Sequence, residues 1–67
     1  MRVVYTKHFM TGPLAGCQAK GQDCRFADRV SALRWRERLL ETTDGKDFVR
    51  EAITGDKFYA SHVEVVD

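Results

Sequence analysis

One segment of the chain, from Asp28 to Thr42, repeats its apolar side chains with the period of an α-helix. At about 100° per residue these side chains fall within one broad arc, and Arg36 lies inside it. Asp28 is a typical N-cap residue, and Gly45 stands close to where a left-handed cap would end the helix. Because a lone helix must bury its apolar arc against another layer, we expect the rest of the chain to supply a sheet. The arc contains Ala32, Leu33, Trp35, Leu39 and Leu40.

Strand-like segments flank this helix on both sides. Arg2 to Met10 is rich in Val, Tyr, Phe and Thr, and it contains no Gly or Pro, which is typical of a strand. Gly12 and Pro13 end it, because proline cannot donate to a sheet ladder. The segment Lys57 to Val66 has a similar composition and predicts the second clear strand.

The segment between the first strand and the helix is less regular. We expect an irregular strand over Ala15 to Ala19, a turn at Lys20-Gly21 and an extended return from Cys24 to Phe26. A tight turn at Lys20-Gly21 would place Cys17 opposite Cys24, close enough for their thiols to meet.

Residues 48–54 fit two structures. A turn at Gly55-Asp56 would make them the first half of a hairpin, with Ile53 opposite Phe58. Their apolar spacing also fits one face of a short helix that Gly55 would cap. We favour the strand, because the segment then pairs with the clear strand that follows it.

These elements predict an α+β fold, a small antiparallel sheet in β-β-α-β-β order with one long helix packed on one face. The helical alternative for residues 48–54 changes the order to β-β-α-α-β. The 67 residues give room for a single domain, residues 1–67. A chain of this size buries only about 60% of its unfolded surface, so self-association is one way to thicken its core. We expect a symmetric homodimer, formed through Arg2–Met10 or Lys57–Val66 as sheet edges or through helix faces.

Charge and hydropathy bear on the compartment. Eleven Lys and Arg residues stand against ten Asp and Glu, so the chain as a whole has no strong attraction for nucleic acid or membranes. No apolar run follows Arg2 as it would in a signal peptide, so we expect none, and no apolar run approaches the roughly 18 residues that span a bilayer. We therefore expect a cytoplasmic protein without a membrane partner, in which Cys17 and Cys24 are buried thiols.

Catalytic and metal-binding patterns are missing from the sequence. It contains no GxSxG, HExxH, P-loop or dinucleotide fingerprint. Zinc sites usually pair ligands about two to four residues apart, and these cysteines and histidines have no such spacing. We therefore expect no enzyme activity, no metal and no cofactor. The potential ligands are His8, Cys17, Cys24 and His62.

Arginine and tryptophan concentrate on and just before the helix. Trp, Tyr and Arg are the side chains that dominate protein-binding hot spots, so we expect a non-enzymatic domain that binds another protein. Trp35 itself is expected to be largely buried against Leu39 and strand aromatics. The predicted partner-binding residues are Arg34, Trp35, Arg36, Arg38 and Tyr59. The alternative is a nucleic-acid-binding module that contacts phosphates through Arg25, Arg29, Arg34 and Arg38.

The layout of the chain is similar to that of small proteins carried by phages and prophages. The likeness lies in a strand-first order, the loop Thr11-Gly12-Pro13-Leu14-Ala15-Gly16, one helix with a central Trp35, and a strand-rich end. Such proteins commonly bind and inhibit a host macromolecule, anti-defence and anti-CRISPR proteins among them. The resemblance implies an inhibitor or accessory role, and it implies no functional residue.

Overall fold

Four antiparallel strands form one sheet, and a single helix packs against one face of it. The computed structural model describes residues 1–66. The strands lie in the order β2-β1-β4-β3 within the sheet. The predicted α+β fold, with its β-β-α-β-β order, is therefore confirmed. The elements are β1 (Arg2–Phe9), β2 (Gln18–Asp23), α1 (Arg29–Leu40), β3 (Val49–Arg50) and β4 (Lys57–Val66).

The core lies between the helix and the sheet face that the helix covers. Successive side chains of a strand point to opposite faces, so alternate residues of β1 share this covered face. Phe58 of β4 lies within it, with its ring 6.2 Å from that of Tyr5 and 6.2 Å from that of Phe9. The buried apolar residues are Val3, Tyr5, Phe9, Ala32, Leu39, Phe58 and Ala60.

The helix begins where the sequence predicts. Asp28 is its N-cap, and the Asp28 carboxylate accepts a hydrogen bond of 2.8 Å from the backbone N–H of Ser31. Only part of the predicted apolar arc is buried, since Leu33 and Leu40 stay 36% and 38% exposed. The arc is wider than the line along which α1 contacts the sheet, so its outer part faces away from the core.

The second strand runs straight through the predicted turn. β2 pairs with β1 over its whole length, with Gly21 opposite Tyr5, so the turn at Lys20-Gly21 is wrong. Gly21 serves a different purpose, because the Tyr5 ring lies where a Cβ would stand. The chain reverses earlier, in a turn where Gly12 and Gly16 have φ values of +80° and +85°.

Residues 48–54 combine parts of both predictions. Only Val49 and Arg50 form a strand, and Val49 pairs with Phe58, so the predicted register of Ile53 against Phe58 is wrong. The backbone then makes one helical turn, in which the Gly55 N–H donates to the Glu51 carbonyl at 2.9 Å. This turn lifts Ile53 out of the sheet.

The sheet edges also differ from the prediction. β1 lies between β2 and β4, so Arg2–Met10 is not a sheet edge and that expectation is wrong. β3 pairs with β4 only at Lys57 and Phe58. Within residues 1–66, the rest of β4 pairs with β1 on one side and has no strand partner on the other. Self-association stays a prediction. Sedimentation equilibrium tests it, because a mass near the 7.7 kDa of one chain rules the dimer out.

Candidate binding surfaces

A cleft of about 700 Å³ opens beside Trp35. The end of β2, the segment that leads into the helix and the turn over residues 51–53 form its sides. We call it the Trp35 cleft. The lining residues that matter below are Asp23, Arg25, Phe26, Trp35, Glu51 and Ile53.

Asp23 fixes the position of the Trp35 ring in this cleft. One carboxylate oxygen of Asp23 accepts hydrogen bonds from the Tyr5 hydroxyl at 2.8 Å and from Trp35 Nε1 at 2.6 Å. Burial, followed by the hydrogen bond to Asp23, raises the pKa of Tyr5 above its ordinary value. The phenol therefore stays a donor across the physiological range, and the indole is held at its edge.

Glu51 of this cleft forms an ion pair with Lys7, which lines a smaller cavity of about 170 Å³ that shares Asp23, Trp35, Glu51 and Ala52 with the cleft. Their side chains are only 18% and 19% exposed, and Lys7 Nζ also lies 5.1 Å from the centroid of the Phe58 ring. The hydrogen bond from Lys7 lowers the pKa of Glu51. The charges of Lys7 and Glu51 therefore compensate each other, whereas the Asp23 carboxylate has only neutral hydrogen-bond donors and makes no ion pair within residues 1–66.

The outer part of the cleft is apolar, with one cation. Ile53 is 92% exposed and Phe26 is half-buried. Arg25 is also exposed, and it makes no ion pair with any of residues 1–66. A contact made here would bury an isoleucine and bring an anion to Arg25.

The five residues predicted to bind a partner lie on separate surfaces. Trp35 lines the cleft, whereas Tyr59 is on the opposite face of the sheet, stacked on His8 with ring centroids 4.5 Å apart. Arg36 pairs with Glu37 at 3.1 Å, and Arg34 is exposed on the helix. The fold therefore brings one of the five to the cleft.

Arg38 is occupied by contacts within the protein. Its guanidinium donates to the Asp47 carboxylate and to the Phe48 carbonyl, both at 3.0 Å. The other arginines of the predicted nucleic-acid surface are scattered, with Arg25 at the cleft and Arg29 at the first residue of the helix. Nucleic-acid binding through these side chains stays a prediction.

The two cysteines are placed apart, whereas the two histidines share one hydrogen-bond partner. Cys17 and Cys24 are free and exposed at either end of β2, so the expectation of buried thiols is wrong. His8 and His62 both contact the Ser61 hydroxyl, at 2.6 Å and 2.9 Å. Within residues 1–66, no three His, Cys, Asp or Glu side chains come together as a metal site. None of the described helices has the length and apolar character to cross a membrane.

Sequence reasoning missed Asp23 and Ile53, the two residues that give the cleft its character. Asp23 is twelve positions from Trp35 in the chain, and nothing local connects them. Ile53 follows Ala52 and stands two residues before Gly55, a position that also suits a buried hairpin residue. No protein-family model matches the chain, and neither does any curated protein or solved structure.

Proposed function

We propose that this chain is a non-enzymatic protein-binding domain whose contact surface is the Trp35 cleft. The observation that carries the proposal is Ile53, which stands 92% exposed beside a cleft of about 700 Å³. A fully buried isoleucine is worth about 1.5–3 kcal/mol relative to an exposed one. A partner that covers Ile53 therefore gains free energy that the isolated chain leaves unused.

The chemistry of the cleft favours a particular partner. Phe26 and Trp35 supply apolar and aromatic contact area, and the Glu51 carboxylate is already paired with Lys7. Arg25 is the cation that a ligand can neutralise. The expected partner segment therefore carries an apolar side chain with a carboxylate close to it.

The proposal includes a cytoplasmic location, where Cys17 and Cys24 remain thiols. It also includes the inhibitor or accessory role that the likeness to phage-type proteins implies. Such a role requires only that the domain cover a surface of its target. It fits a site in which the Tyr5 hydroxyl and Trp35 Nε1 both donate hydrogen bonds to Asp23 within the protein.

Affinity capture from the source cell tests the proposal. The immobilised protein is compared with Ile53→Asp, which alters an exposed side chain and spares the core. The amount of a protein that the parent chain captures should fall roughly tenfold or more with Ile53→Asp, because aspartate does not make the apolar contact. Arg25→Glu should weaken capture of the same protein.

Leu14→Asp is the matched control. Leu14 is also an exposed apolar residue, at 49%, but it lies in the β1–β2 turn and does not line the cleft. This variant should capture the partner as the parent chain does. Equal capture by Ile53→Asp and Leu14→Asp, or capture of no protein by the parent chain, would refute the proposal.

A further inference from the structure

The sheet face opposite the helix concentrates positive charge. We call it the open face, because within residues 1–66 no helix covers it. Four cations point to it against one carboxylate, Glu64, although the whole chain has a net charge of only +1. Among the described residues, none of the four cations makes an ion pair. They are Arg2, Lys20, Arg50 and Lys57.

Aromatic rings lie beside these cations on the open face. His8 and Tyr59, on the two central strands, stack with ring centroids 4.5 Å apart and an interplanar angle of 5°. Lys57 Nζ is 4.6 Å from the centroid of the Phe48 ring, and the Arg50 guanidinium carbon is 5.9 Å from it. Rings and cations therefore lie side by side on this part of the sheet.

A groove continues this surface toward the bulge in β4. It has a volume of about 370 Å³, and Thr6, Lys20, Gln22 and His62 are among the residues that line it. Its hydroxyl, ammonium and amide groups are hydrogen-bond donors. The Lys20 ammonium adds a positive charge on the β2 side of the His8–Tyr59 stack.

From this combination we propose that the open face binds single-stranded nucleic acid. Proteins that bind single strands combine cations that follow the phosphates with aromatic side chains on which bases stack. The open face has both, and the stacking requires unpaired bases because a duplex hides their faces. The Lys57, Arg50 and Lys20 side chains contact phosphates, and Tyr59 with Phe48 stacks on bases.

This second surface is independent of the Trp35 cleft. The cleft lies on the covered side of the sheet, where Tyr5 and Lys7 point, whereas Thr6 and His8 of the same strand point to the open face. Ile53→Asp should therefore leave nucleic-acid binding unchanged. Failure of either proposal leaves the other standing.

Fluorescence anisotropy with the full chain and a labelled oligothymidylate of about 12 nucleotides tests the proposal. The chain should bind the oligonucleotide at low salt, and the affinity should fall as salt is added. A plot of the logarithm of the association constant against the logarithm of the salt concentration should have a slope of about −2 to −3 if three or four phosphates are neutralised. Lys57→Glu should reduce both affinity and slope. Tyr59→Ser should reduce affinity roughly tenfold, and Tyr59→Phe should restore it because the ring is kept.

Lys46→Glu is the matched control, since it changes the net charge as Lys57→Glu does but lies in the loop between α1 and β3, outside the strands of the open face. It should bind as the parent chain does, apart from a small uniform effect of net charge. The proposal is overturned by absence of binding at low salt, by equal losses in the two charge variants, or by a duplex that binds as tightly. Polyglutamate serves as a competitor. If it displaces the labelled oligonucleotide as effectively as the unlabelled oligonucleotide does, the proposal is overturned and an acidic protein is the better candidate partner.

Discussion

The side-chain hydroxyl of Thr42 accepts a hydrogen bond of 2.9 Å from the backbone N–H of Ala60 and so closes an edge that β3 leaves open. The same hydroxyl donates to the Leu39 carbonyl at 2.7 Å, and the neighbouring Thr43 hydroxyl donates to the Ala60 carbonyl at 3.0 Å. Two threonines after the helix thus take the place of a strand, and they tie the end of α1 to β4.

Thr42→Val should be strongly destabilising for an isosteric change. Thr42 is fully buried, so valine leaves the Ala60 N–H without a partner or water. An unsatisfied buried donor costs about 1–3 kcal/mol, and urea unfolding should report a loss in that range. Thr42→Ser keeps the hydroxyl and should retain the hydrogen bond. A Thr42→Val free energy of unfolding within about 0.5 kcal/mol of the parent value would contradict this role.

Gly21→Ala should destabilise the protein although alanine suits a strand better than glycine does. The Tyr5 ring lies over Gly21, so a methyl group there forces the ring to move and disturbs its bond to Asp23. We expect a loss of about 1–3 kcal/mol in thermal or urea unfolding. The loss should shrink in a Tyr5→Ala background, because the clash is then gone. An undiminished loss there would contradict the explanation.

How much of the fold the sequence predicts depends on how local each cause is. The strand over Lys57 to Val66 and the N-cap at Asp28 follow from adjacent residues, and both are found where predicted. The role of Gly21 could not be predicted, because the ring that requires it belongs to a residue sixteen positions away. A glycine that makes room for a ring and a glycine that permits a turn look identical in the chain.

The candidate surfaces were predicted less well for a related reason. The arginines around Trp35 form a dense cluster in the chain, but Asp47 and Glu37 neutralise part of it after folding. The cations of the open face are far apart in the sequence, and only strand register brings them together. The density of arginines along the sequence therefore overstated the positive charge of the helix, and it gave no sign of the positive charge on the sheet.

Trp35→Ala should remove a large part of the stability of this small domain. The ring packs against the core, and its Nε1 donates to Asp23. Truncation of a packed aromatic residue costs about 3–5 kcal/mol, and because Trp35 is only half-buried we expect the lower end of that range. Trp35→Phe should cost less, because it keeps an aromatic ring. A Trp35→Ala variant with the thermal midpoint of the parent chain would show that the ring serves binding alone.

His62 has a φ of 54°, in the left-handed region that residues other than glycine rarely adopt. It stands in the β-bulge, where β4 gains a residue relative to β1 between Val4 and Thr6. His62→Asn should therefore be nearly neutral, since asparagine tolerates this conformation. His62→Val should lose about 1 kcal/mol or more, because a branched Cβ does not. Urea unfolding in which valine and asparagine rank equally would contradict a strained bulge.

The Lys7–Glu51 pair should make stability depend on acid pH. Its hydrogen bond lowers the pKa of Glu51 in the folded state, so folding favours the ionised carboxylate. That contribution is complete above the ordinary glutamate pKa of about 4.3, and it is lost as the pH falls through the lowered folded value. Glu51→Gln should therefore be less stable at neutral pH by roughly 1 kcal/mol, with the difference vanishing in strong acid.

Lys7→Met provides the control for this pH dependence. Asp28 and Asp47 also have lowered pKa values, so the acid limb of the parent chain has several sources. Without Lys7, only weaker interactions lower the pKa of Glu51. Adding Glu51→Gln to Lys7→Met should therefore change the pH dependence of the free energy of unfolding much less. Urea unfolding from neutral to acid pH measures all four chains. A Glu51→Gln effect that is independent of pH, or equally large without Lys7, would show that the ion pair does not cause it.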